Sequence, residues 1–318
     1  MRVADLHVDV LCKMLEHPDA KWSEADSPQN SAGAIFDATP ERLRQGGVML
    51  QVFALYVPDK VPGNPESVMH AAELYWSQVL TVSGIKLIRS AADLKSALNE
   101  GTTGALLSLE GVDALQGNFW TLKLLHRLGL RLLGPTWNHA NWACDGAMEP
   151  RGGGFTKAGR QLISECQNLG ILIDVSHLSD QGFWEIANCA ARPFFASHSN
   201  CRAIRNHPRN LTDSQIQTLL SAGGLIGLTF VPWFLTSSEP ANINDIMKHI
   251  EHICALGGAN QVGFGSDFDG VDRHVQGLEH PGRYTVLADT LLRHYPESVV
   301  KGIMGENAVR FLIKNLPN

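Results

Sequence analysis

Six side chains able to bind a metal or carry a proton stand at or near the ends of apolar segments: His7 and Asp9, Glu110, His177, His198 and Asp267. His7 and Asp9 lie two residues apart, a spacing that in an extended strand puts both on one face, aimed at a common atom. Burying such a pair without a cation costs several kcal/mol of desolvation. Glu110, closing the run Ala105-Leu106-Leu107-Ser108-Leu109, carries the same cost. A lone histidine at a strand end is more often a hydrogen-bonded structural group than a ligand, so His177 or His198 alone says little. Their joint occurrence with the carboxylates, at the ends of different strands, points to a metal centre. Histidine and carboxylate without cysteine suit Zn2+ or another borderline divalent ion. Five donors, His7, Asp9, Glu110, His177 and His198, exceed the three protein ligands of a tetrahedral catalytic zinc. They suit two ions sharing a bridging carboxylate. Such a centre keeps residual positive charge, holds hydroxide at neutral pH and attracts a carbonyl oxygen.

These groups need a scaffold that brings several strand ends to one mouth. Eight apolar runs, at 3–10, 48–57, 105–110, 130–138, 171–177, 194–198, 225–231 and 262–267, alternate with longer segments of helical periodicity. Helices are expected over 65–82, 118–128, 156–169, 180–191, 212–222 and 243–256, several behind a Ser, Thr, Asp or Asn cap and two closed by Gly170 and Gly257. Repeated βα units imply an α/β protein with a parallel sheet, and eight of them imply a (β/α)8 TIM barrel with catalytic groups at the C-terminal strand ends. The tail at 296–316 reads as additional C-terminal helices. Segments 16–40 and 141–154 are longer than simple connections and are expected to act as lids or rims. No repeat or linker divides the chain, so residues 1–318 read as a single domain.

With 44% hydrophobic and 18% charged residues the chain has material for a large core. A net charge of −6 with no basic cluster excludes the electrostatic footprint of a nucleic-acid binder. No apolar run approaches the roughly 18 residues of a membrane span. The N-terminus goes straight into a strand-like segment and the C-terminus carries no apolar tail, so a cytoplasmic location is expected. The cysteines at 12, 144, 166, 189, 201 and 254 form no Cys-x-x-Cys pair and read as reduced, buried small side chains.

The sequence resembles the membrane (renal) dipeptidases and their bacterial relatives, within the amidohydrolase-like metal-dependent hydrolases. The resemblance runs from Asp5 to about Phe311 and rests on Asp5-Leu6-His7-Val8-Asp9, Ser108-Leu109-Glu110-Gly111, Ile173-Asp174-Val175-Ser176-His177, Ser197-His198-Ser199, Arg209-Asn210-Leu211-Thr212-Asp213 and Val262-Gly263-Phe264-Gly265-Ser266-Asp267-Phe268-Asp269-Gly270. It implies that His7 and Asp9 bind one zinc, that His177 and His198 bind a second, and that Glu110 bridges both. It further implies Asp267 as the proton-transfer carboxylate and Arg209 as the receiver of a dipeptide's terminal carboxylate. Arg209 has no role in a reading of the residues alone. Tyr56 resembles a strand tyrosine that faces the substrate. Relatives often place a histidine directly after the threonine that ends the fourth run; this chain has Thr136-Trp137, with His139 two residues on. His139 either reaches the same place from a shifted loop or stays on the rim. By resemblance the protein is a dipeptidase and a homodimer, without membrane attachment. The alternatives are a deacylase or lactonase using the same metals, and a catalytically silent barrel that serves as a binding protein; the intact ligand set argues against the latter.

Overall fold

Val, Ile, Leu and Phe dominate the short runs that become strands, and these pair side by side with helices between them. The computed structural model describes residues 1–26 and 35–318, so part of the expected long segment at 16–40 lies outside the described residues. Strands β1 (Val3–Val8), β2 (Val48–Leu55), β3 (Ile85–Ile88), β4 (Thr103–Glu110), β5 (Leu130–Gly134), β6 (Leu172–Ile173), β7 (Ile226–Leu228) and β8 (Val262–Phe264) form one curled sheet. All pairings are parallel, along the path β6-β5-β4-β2-β1-β8-β7, with β3 against the first half of β4. The two end strands approach each other through 194–196: Asp174 bridges Phe195, and Ala196 bridges Ile226. β1 and β2 are buried throughout, as strands covered on both faces must be.

The helices are α1 (Val10–Glu16), α2 (Pro40–Gln45), α3 (Pro65–Leu74), α4 (Ala91–Glu100), α5 (Phe119–Leu128), α6 (Lys157–Leu169) and α7 (Asp180–Cys189). They continue with α8 (Asp213–Ser221), α9 (Pro232–Leu235), α10 (Ile243–Ala255), α11 (Tyr284–Leu292), α12 (Glu297–Lys301) and α13 (Asn307–Asn315). Capping follows the sequence. Thr156 and Ser179 accept from the third residue of α6 and α7, and Thr212 with Gln215 closes a capping box on α8. Gly170 ends α6 at φ 73°, a conformation that disfavours any side chain.

Four expectations need correction. The expected helix at 65–82 is α3 followed by a π turn at Tyr75–Val79. The run at 194–198 makes isolated bridges, not a ladder, and β3 replaces it in the count of strands. The run at 130–138 ends as a strand at Gly134, because Pro135 has no N–H to continue the pairing. The run at 171–177 yields only two ladder residues, since Asp174 turns the chain by accepting from the amides of Ser176 and Ser197. The tail at 296–316 forms α12, a π turn and α13. Gly305 in that π turn lies against Ala4 N and Arg2 O, so the tail packs at the N-terminal ends of the strands. There Phe311 and Leu312 join Leu6, Leu50, Val52 and Leu106 in one apolar cluster. The opposite ends are left for polar groups.

Candidate metal centre and substrate cavity

Glu110 is the last residue of β4, and its two carboxyl oxygens face different partners. Oε1 lies 2.7 Å from His177 Nε2 and 3.5 Å from His198 Nε2, whereas Oε2 lies 3.4 Å from His7 Nε2. His7 Nε2 is in turn 3.4 Å from Asp9 Oδ2. The same-face argument for His7 and Asp9 is only partly right. β1 has an irregular register against β2 between Asp5 and Val8, and Asp9 already lies beyond the strand as the N-cap of α1. A bulge re-aims side chains at just such strand ends, and here the two groups still converge.

The tautomers of the second pair follow from their partners. His177 Nδ1 is 3.1 Å from Asn138 Oδ1, an acceptor, so Nδ1 carries the proton. Ser197 donates its single hydroxyl proton to Asp174, so at 2.6 Å its oxygen accepts from His198 Nδ1. Both Nε2 atoms are therefore lone pairs, and they face each other at 2.8 Å. His7 Nε2 and Asp9 Oδ1 are buried without any hydrogen-bond partner. Two opposed lone pairs and two orphaned polar atoms, all beside one carboxylate, are the arrangement a cation would satisfy. Ligand atoms of His7, Glu110 and His198, and of His7, Asp9 and Asp267, lie within 4.8 Å of one another in each group. The donor set fits divalent cations, and Asp267 stands within it.

Electrostatics agree. Burial and the nearby Arg209 push His177 down to about 4, and burial with the other histidines holds His198 well below its usual value. Both stay neutral, the state in which an imidazole binds a metal. His7 is raised against the effect of burial by the negative charges of Glu110 and Asp9. Glu110 overcomes burial because the positive charge of His7 holds it ionised, well below the usual carboxylate range. Asp267 moves the other way: burial raises it, and Asp9 and Glu110 add to the rise against His7. Its backbone is left-handed, φ 68°. A Cβ on Gly270 would sit 2.3 Å from both Asp267 Oδ1 and Asp9 Oδ2, so only glycine lets the chain pass these two carboxylates.

A cavity of about 550 Å³ opens onto this cluster, lined by Asp9, Lys13, Tyr56, Trp137, Arg209 and Phe234 among others. Arg209 is buried, and its guanidinium donates to the Ser176 carbonyl and lies 3.0 Å from His177 Nε2. Its Nε has no partner, and its Cζ stands 5.5 Å from the centre of the Phe234 ring. Burial lowers it to about 10, which leaves it charged at neutral pH. Tyr56 and Trp137 pack with ring centres 5.2 Å apart and separate this cavity from a smaller one of about 280 Å³. His139 lines only the smaller cavity, while Trp137 borders both. Of Trp137 and His139, Trp137 is the one beside the candidate ligand cluster, its ring centre 6.2 Å from that of His177.

Sequence reasoning missed Asn138, Ser197 and Asp174, which fix the histidine tautomers, and Lys13 in the cavity wall. Asp174 and Ser197 do lie one to three residues from His177 and His198 in the motif strings. Asn138 carries no sequence signal, because its contact with His177 is made across 39 positions.

A profile of the membrane dipeptidase family, peptidase family M19, matches residues 1–315. The dipeptidase tcpJ of Claviceps purpurea (strain 20.1) is 32% identical over 235 residues, 72% of this chain and 55% of its own, so the matched stretch spans about half that relative's length. The solved dipeptidase AC, a family M19 metallopeptidase, superposes with a TM-score of 0.91 at 28% identity, over 100% of this chain and 99% of its own. A Rhodobacter sphaeroides metallopeptidase, solved with a phosphinate mimic of the dipeptide L-Ala-D-Ala, gives 0.89 at 27% identity over 99% of each chain.

Proposed function

The chain belongs to the membrane dipeptidase family, peptidase family M19, and from that premise we propose that it hydrolyses dipeptides at two zinc ions. His7, Asp9, Glu110, His177 and His198 would hold the ions, with Glu110 shared between them, at the mouth of a single (β/α)8 barrel domain. Bound there, the ions supply Lewis acidity and a water whose pKa falls toward neutrality. The rest is done by the chain. Arg209 binds the substrate's terminal carboxylate, for which its planar fork and unpartnered Nε are suited. Asp267 holds a proton at its carboxylate and passes it to the leaving amine, the work of a positioned acid and base. Tyr56 and Trp137 wall the cavity and limit water there; His139 contributes to the rim. The six cysteines are all free, which supports a reducing, cytoplasmic setting.

The observation that carries this reading is the division of Glu110, one oxygen toward His7 and the other toward the His177–His198 pair. The test is a panel of L,L- and L,D-dipeptides, the latter included because the Rhodobacter relative is liganded with an L,D mimic. Each is offered free and C-terminally amidated to zinc-loaded wild type and Arg209→Ala. Loss of a buried charge contact predicts a fall of about 10²–10³ in kcat/KM for free dipeptides and a much smaller one for amides. An equal fall on both would favour a deacylase or lactonase.

A further inference from the structure

Three lysine or arginine side chains line the large cavity: Lys13, Lys60 and Arg209. Lys60 pairs with Glu16 at 3.2 Å. Arg209 and Lys13 have no carboxylate partner among the described residues. Arg209 has its assignment at the substrate's terminal carboxylate, which leaves Lys13 unexplained.

Lys13 lies in the second turn of α1, half-buried. On a helix its natural partners are the residues three or four positions away. Both are engaged elsewhere: Asp9 belongs to the ligand cluster, and Glu16 is held by Lys60. Asp59 and Asp272 also line the cavity, exposed at its rim, and Glu110, Asp267 and Asp269 line it deeper, but none of them forms an ion pair with Lys13. An ammonium with no ion-pair partner on the wall of a substrate cavity is free to meet an incoming anion there.

The position fixes which anion. Along the ligand cluster the order runs from Arg209 and His177 through Glu110 to His7 and Asp9. A dipeptide with its terminal carboxylate on Arg209 and its peptide carbonyl over the cluster sends its N-terminal residue toward Asp9 and α1. We propose that Lys13 binds a side-chain carboxylate on that residue, making dipeptides that begin with aspartate or glutamate the preferred substrates. This rests on the dipeptidase reading above.

Aspartyl-alanine and asparaginyl-alanine have side chains of the same shape and differ in charge, so the ratio of their kcat/KM values isolates the contact. In zinc-replete wild type the ratio is expected to favour the acidic substrate by about tenfold, the size of one hydrogen bond to a charged group. Lys13→Met should bring the ratio near one, and Lys13→Arg should restore most of it, with metal content and circular dichroism checked in each variant. Turnover of asparaginyl-alanine with a wild-type ratio near one, or a ratio unmoved by Lys13→Met, overturns the role of Lys13 alone. Absence of turnover for both substrates and for alanyl-alanine overturns the dipeptidase reading and this proposal with it.

Discussion

Asp5 and Asp9 are four residues apart, both buried, and the protein treats them in opposite ways. Asp5 Oδ1 accepts from the amides of Ser266 and His7 at 2.8 and 3.2 Å. Its Oδ2 accepts from the hydroxyls of Ser266 and Tyr284 at 2.7 and 2.9 Å. Asp9 Oδ1 has no partner, nor does His7 Nε2 beside it. A buried carboxylate surrounded by donors is structural: it ties β1 to the turn after β8 that carries Asp267. A buried carboxylate facing other acceptors and lone pairs is shaped for something the chain does not itself provide. The boundary between scaffold and site thus falls at the C-terminal end of β1, just before the N-cap of α1.

The largest effect should come from the site half. Asp267→Asn is expected to keep its metal content and lose about 10²–10⁴ in kcat, the range for removing a general acid and base; normal turnover in the metal-replete variant would remove its role. The scaffold half should respond in the opposite currency. Asp5→Ala leaves the Ser266 and Tyr284 donors unpaired and is expected to cost about 2–4 kcal/mol in urea unfolding, with metal binding retained in the folded fraction. Asp9→Ala should do the reverse, losing metal while the metal-free protein unfolds at nearly the wild-type urea concentration. If Asp5→Ala lost metal without loss of stability, the contrast would be wrong.

The smallest effect belongs to the loop behind the site. His274 Nε2 is 2.7 Å from Asp37 Oδ2, and Asp269 accepts from the amides of Asp37 and Ala38. The hydrogen bond to Asp37 raises the His274 pKa above its usual value. A raised folded-state pKa contributes stability that is complete below the unfolded value, about 6.5, and is lost as pH rises through the folded one. His274→Gln should therefore cost about 0.5–1 kcal/mol at pH 5 and close to nothing at pH 9, measured on chelated protein. A cost that grew with pH would contradict the pairing.

Much of this arrangement is legible in the sequence, for identifiable reasons. The candidate ligands are legible because ionisable groups at the ends of apolar runs break the expected pattern, and such breaks often mark function. Parallel βα architecture is legible because strands covered on both faces are continuously apolar. What escaped was set by tertiary context. β3 is only four residues long, with Lys86 inside it, too short to read as a run. The segment at 194–198 reads as a strand yet makes only bridges, since its amides are shared with Asp174 and Ser176 side chains. The choice between Trp137 and His139 depended on a loop whose course the sequence does not encode locally: His139 O is held by Thr136 and Gly146, which places that residue on the smaller cavity.

The central claim is that Glu110 joins two metal sites. Protein dialysed against zinc and then against metal-free buffer, assayed by inductively coupled plasma mass spectrometry, should hold two zinc ions per chain, and folded Glu110→Gln should retain no more than one. Wild type holding one or none, or Glu110→Gln keeping both, would contradict it.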